Sequence, residues 1–72
     1  MKKIKKIKIK INGKDKQIVE NTKIDKILND LKIPLNKVAI ELNQEILDKR
    51  KLHEIKLEQN DKVEIVHFIG GG

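Results

Sequence analysis

The sequence predicts an α+β fold, one layer of β-sheet with a single helix laid across it, and three observations carry that prediction. Ile7, Ile9 and Ile11 alternate with Lys6, Lys8 and Lys10, the period of a half-buried strand, and Asn12-Gly13 follows at once. Ile24, Ile27, Leu28 and Leu31 then fall at i, i+3, i+4 and i+7, one continuous helical face. Beyond them, Val38, Ile40 and Leu42 alternate again, and a last apolar run passes through Val63-Glu64-Ile65-Val66-His67-Phe68.

The elements follow in order. Met1 to Lys5 reads as a basic arm, with Ile4 able to extend the first strand. The Asn12-Gly13 turn returns the chain through Lys16-Gln17-Ile18-Val19, because both turn positions accept positive φ. Thr22 has the character of a helix cap, its hydroxyl placed to accept a backbone N–H three residues on, and Asp25 suits the positive first turn. Pro34 bars continuation, so the helix is expected to end near Lys32. A helix of roughly ten residues is too short to persist alone in water, so the sheet must hold it. Asn43-Gln44 turns the third strand into a short edge strand, Glu45-Ile46-Leu47. Residues 48–58 read as polar and irregular, pinned by Leu52, Ile55 and Leu57, and Gln59-Asn60-Asp61 turns into the final strand. The domain is expected to span residues 1–69, with residues 1–6 a basic extension and residues 70–72 a glycine tail.

Composition narrows the function. A chain of 72 residues buries only about 60% of its unfolded surface, and with Phe68 the single aromatic its core must be aliphatic. There is no cysteine, so neither a disulfide framework nor a thiolate metal site is available, and His53 and His67 have no ligand-like spacing. No metal site is expected. No apolar stretch reaches membrane-spanning length and lysines interrupt the N-terminus throughout, so the expected location is the cytoplasm, away from membranes. The net charge of +6 is lopsided: residues 1–26 carry ten lysines against three acids, residues 27–72 seven basic against eight acidic residues. One arginine and no interleaved aromatics argue against a nucleic-acid surface.

The most informative stretch is Ile69-Gly70-Gly71-Gly72. It leaves an apolar strand with no polar spacer and holds all but one of the four glycines. Glycine loses the most freedom on ordering, so such a tail is expected to be mobile in the free protein. Extended, its three glycines reach roughly 10 Å and carry a carboxylate into a channel too narrow for a β-carbon. A frayed, idle end is the competing reading.

The order hairpin, helix, strand, short strand, loop, strand, with the last strand running into glycines, resembles the β-grasp, ubiquitin-like fold. More narrowly the chain resembles the sulfur-carrier family of thiamine biosynthesis, through IKING (residues 9–13), the helix IDKILNDL, the strand and turn VAIELNQEIL, and the ending VEIVHFIGGG. It departs from that family at Asp48-Lys49-Arg50-Lys51-Leu52, where Pro-Arg is usual, and in its lysine-rich start. The resemblance implies a mixed sheet of four to five strands. It implies that an adenylating enzyme of the ubiquitin-activating type uses ATP to activate the Gly72 carboxylate. Sulfur originating from a cysteine desulfurase then makes a thiocarboxylate, which thiazole synthase consumes. Gly72 would carry the group, Gly70 and Gly71 would enter the partner's active site, and this chain would be no enzyme, with no catalytic side chain and no cofactor of its own. The small subunit of molybdopterin synthase, a ubiquitin-like modifier that conjugates to lysines, and a basic binding module with an idle tail are the alternatives.

Beside the tail, the two-residue period puts Glu64, Val66 and Phe68 on the sheet face opposite the helix if Val63 and Ile65 face it. An apolar pair on a solvent face, next to Ile69 and the reacting end, reads as a docking surface; the alternative is that Phe68 wraps over the edge and covers core. His67 is expected partly buried on the core side. The Lys6-Lys8-Lys10 row reads as a solvated face paired in part with Glu64, and Glu41, Glu45 and Glu64 show no catalytic pairing.

Overall fold

The computed structural model describes residues 3–68. Five strands form one mixed sheet in the order β2-β1-β5-β3-β4. They are β1 (Lys6–Ile11), β2 (Lys14–Val19), β3 (Val38–Leu42), β4 (Glu45–Ile46) and β5 (Lys62–His67), with α1 (Ile24–Asp30) across one face. Only the β1–β5 pair is parallel, so the last strand is inserted between two hairpins. Ile69, Gly70, Gly71 and Gly72 lie outside the described residues. Lys6, expected in the N-terminal extension, is instead the first residue of β1 and pairs with Val19, whereas Ile4 stands outside the strand and is exposed.

Both hairpin turns take positive φ at both central residues: 50° and 82° at Asn12 and Gly13, 50° and 74° at Asn43 and Gln44. That geometry matches the twist of the flanking strands. Asparagine, which tolerates the left-handed region, takes the first central position of both turns; at the second, glycine removes the strain in the first turn, whereas Gln44 bears it in the other.

The two asparagines also reach across to β5. Register pairing between β1 and β5 covers only Lys10↔Lys62 and Ile11↔Val63. Past that point the Asn12 side chain continues the ladder: Ile65 N–H donates to its Oδ1 at 2.7 Å, and its Nδ2 donates to the Ile65 carbonyl at 3.5 Å. Asn43 holds the start of the strand, its Oδ1 accepting from Lys62 N–H at 2.9 Å. Before the parallel pair begins, Gln59 Oε1 accepts from Lys8 N–H at 2.9 Å. From Val66 onward the paired neighbour is β3 alone, through Ala39↔Val66, Val38↔His67 and Phe68 N–H to the Lys37 carbonyl at 2.9 Å.

The helix is shorter than its pattern suggests and is capped differently. Asn21 at φ 70° folds Thr22 back on β2, so the Thr22 hydroxyl and N–H both donate to the Val19 carbonyl. The N-cap is Lys23, without a side-chain bond, and the orphan N–H of Ile24 donates to the Ile55 carbonyl at 2.8 Å. A neighbouring segment, bridged at Lys23↔Lys56, thus does the work expected of Thr22. The C-terminus is a Schellman motif. Lys32, at φ 58°, donates to the Asn29 carbonyl, and Ile33 N–H reaches the Leu28 carbonyl, each at 3.0 Å. Because the helix ends there, Leu31 is 41% exposed, and only Ile24, Ile27 and Leu28 are buried from the expected face.

Residues 48–58 are less irregular than expected, since Lys49–Glu54 form a 3₁₀ segment that buries Leu52. A second 3₁₀ segment, Leu35–Lys37, follows Pro34. The core is aliphatic throughout: Ile9, Ile24, Leu28, Val38, Ile40 and Leu57 are at most 1% exposed. Fully burying each such side chain contributes about 1.5–3 kcal/mol as an upper bound.

Two substitutions test these local roles. Asn12→Gly keeps the turn's backbone while removing the clasp on Ile65; it is expected to cost about 1–3 kcal/mol in urea unfolding, with a glycine at position 43 as the comparison. Lys32→Gly relieves the left-handed residue at the helix end and is expected to stabilise the chain by about 0.5–1 kcal/mol, read from the same titration.

Candidate functional site

β5 reaches the surface at His67 and Phe68, and the chemistry expected of the tail begins just beyond. Val63 and Ile65 turn into the core while Glu64, Val66 and Phe68 turn outward, as the two-residue period requires. Val66 is 48% and Phe68 50% exposed, so Phe68 is no core residue. His67 is exposed rather than partly buried, although its register partner Val38 is buried. The expected docking residue Ile69 and the tail residues Gly70, Gly71 and Gly72 lie outside the described residues.

Phe68 is held from two directions. Its N–H donates to the Lys37 carbonyl, and the Lys49 ammonium stands 5.2 Å from its ring centroid. Lys49 also donates to the Leu35 carbonyl. Next to it, Asp48 accepts from the Arg50 backbone N–H at 2.9 Å and from the Arg50 guanidinium at 3.1 and 2.9 Å. Those hydrogen bonds hold the Asp48 carboxyl down at about 2. The pair stiffens the first turn of the 3₁₀ segment from which Lys49 projects.

The outer face divides by charge. Lys8 and Lys10 converge on Asp15 of β2, at 3.9 and 2.8 Å, and the Lys10 hydrogen bond lowers the Asp15 carboxyl below its usual range. Among the described residues Glu64 therefore lacks the lysine partner expected for it. It sits opposite Glu41 in register, a like-charge pair that destabilises by about 0.2–1 kcal/mol. Surface depressions of about 450 and 710 Å³ are lined by Lys5, Glu20 and Lys56 and by Lys23, Lys26, Asn29 and Leu35 respectively. No helix among the described residues is long and apolar enough to cross a membrane.

Sequence reasoning missed Lys49 and the second function of Asn12. Neither had a usable signal: Lys49 stood in a run of charged residues, and nothing local shows that a turn asparagine meets a strand 53 residues on.

A mixed sheet grasping one helix, with the C-terminal strand inserted at its centre, defines a β-grasp domain. The ThiS family model matches residues 9–72, and the chain belongs to the ThiS family. It is 38% identical over 65 residues to the sulfur carrier protein ThiS of Bacillus subtilis, covering 89% of this chain and 98% of that one. It is 36% identical over 66 residues to a thiazole synthase of Paramagnetospirillum magneticum, covering 92% of this chain but only 20% of that longer protein. The crystal structure of the thiamine biosynthesis protein ThiS from Geobacter metallireducens superposes with a TM-score of 0.80 at 29% identity, over 92% of this chain and 100% of that one.

The exposure of Phe68 sets a limit on its structural worth. Phe68→Ala is expected to cost about 1–2 kcal/mol in chemical unfolding. A buried phenylalanine would lose about 3–5 kcal/mol, and a loss of that size would contradict the geometry.

Proposed function

We propose that this chain is a sulfur carrier in formation of the thiamine thiazole, acting as a co-substrate and contributing no catalytic side chain. What supports the reading is a family match that runs through the core and on to Gly72. A carboxylate is a poor electrophile because oxide is a poor leaving group. An adenylating enzyme of the ubiquitin-activating type uses ATP to convert the Gly72 carboxylate to an acyl-adenylate, releasing pyrophosphate. A persulfide supplied through a cysteine desulfurase displaces AMP to give an acyl disulfide; a second thiol then attacks the donor cysteine's own sulfur, forming a disulfide with it and freeing the thiocarboxylate. Thiazole synthase receives that sulfur in the cytoplasm. The chain binds no cofactor, since ATP belongs to the activating partner. Having no cysteine, it forms no stray disulfide with the persulfide donor.

In this reading Gly70 and Gly71 thread the partner's active site while Val66, Phe68 and Ile69 dock against it. An exposed aromatic beside an exposed valine is the kind of group that anchors an interface. Phe68→Ala, which should fold because the ring is half exposed, separates docking from stability when its affinity for the activating enzyme is measured.

Deleting Gly72, or appending residues to it, is expected to abolish ATP–pyrophosphate exchange with the activating enzyme while the melting temperature stays within a degree or so of the parent. Intact mass of the chain from thiamine-starved cells should show a population with one oxygen replaced by sulfur. Exchange that survives the deletion would overturn the reading.

A further inference from the structure

Lys49 comes a few residues after β4, yet its ammonium lies where β5 leaves the sheet. It donates to the Leu35 carbonyl and stands 5.2 Å from the Phe68 ring centroid. Phe68 is itself bonded through its N–H to the carbonyl of Lys37, in the same 3₁₀ segment as Leu35. The lysine and the strand end therefore grip one short segment at two points. No ion pair to Lys49 is present among the described residues, and its side chain is half-buried, so its contacts are the carbonyl and the ring.

This arrangement stands at the one place where the domain can still direct its C-terminal residues. From Val66 on, β5 has a paired neighbour on one side only. After Phe68 the sequence runs through Ile69 to three glycines, the residues that lose most on ordering. Each residue fixed in a partner's channel costs conformational entropy, so binding gains when the root is already fixed. A cation over an exposed ring adds a modest restraint there.

We infer that Lys49 is a positioning residue for the C-terminal reaction: its ammonium holds Phe68, the residue just before Ile69 and the glycines, in a fixed place for the activating enzyme. The inference rests on the sulfur-carrier reading for its catalytic consequence and on geometry alone for the restraint.

Lys49→Met keeps the side chain's length and removes its charge and donor, and Lys49→Arg restores both. In the free chain, the ¹⁵N heteronuclear NOE of the Phe68 amide is expected to fall in the methionine variant and recover with arginine, the urea midpoint being nearly unchanged. In ATP–pyrophosphate exchange, the methionine variant is expected to raise KM by about 3- to 10-fold with kcat within about twofold, and arginine to restore KM. An unchanged Phe68 NOE in Lys49→Met overturns the restraint. An unchanged KM, or a loss confined to kcat, with a wild-type chain that exchanges normally, overturns the positioning role. A wild-type chain that supports no exchange removes the sulfur-carrier reading and with it the catalytic consequence, while the NOE still decides the restraint.

Discussion

Everything in this domain depends on seating β5 between two hairpins. A strand placed centrally must satisfy backbone groups on both sides, because an unpaired buried N–H or carbonyl costs about as much as a lost hydrogen bond. β3 meets that demand along its whole length, whereas β1 meets it for two register pairs. Beyond the parallel pair the Asn12 side chain makes up the shortfall on the β1 side, while Asn43 holds the strand's start from the β3 side and Gln59 accepts from Lys8 N–H of β1 itself. An amide carries both a donor and an acceptor and so can stand in for a peptide unit. The hairpin turns are thus also the clasps of the central strand.

How much of this was legible depends on whether the cause was local. The strands of both hairpins followed from alternation and turn chemistry, and the helix from its apolar face, because those signals reside in adjacent residues. The outward placement of Val66 and Phe68 followed from the same period. Where the cause was tertiary, the sequence was silent or misleading. Thr22 has the chemistry of a cap but donates to Val19, since a carbonyl from residue 55 had already taken the helix's first N–H. Leu31 fits the buried stripe and is exposed because a Schellman turn ends the helix beneath it. The lysine row meets Asp15 rather than Glu64, since a hairpin brings its own partner closer than a strand arriving from the far end of the chain.

The same topology explains why the candidate site lies at an edge and not in a cavity. A core this small is committed entirely to aliphatic packing, and among the described residues no polar group is buried in it. That leaves the surface, and the candidate site lies where the central strand emerges, paired there with β3 alone. The charge asymmetry reinforces this division. Lysines gather on the β1–β2 hairpin, whereas the side of the outer face nearer the strand's exit carries Glu41 and Glu64 with exposed Val66.

The clasp at Asn12 also bears on how the protein ages. An asparagine followed by glycine is the pair in which the next backbone nitrogen most readily attacks the side-chain amide, closing a succinimide that opens to aspartate or isoaspartate. In the folded chain that amide is engaged with Ile65, which restrains it from the attack geometry. Once the chain opens, the restraint is gone. Deamidation then leaves a carboxylate that can still accept from Ile65 N–H but faces the Ile65 carbonyl with no donor. A chain converted in this way returns to a sheet whose central strand is held less well than before. Chemical lifetime and folding stability are therefore tied together at one residue.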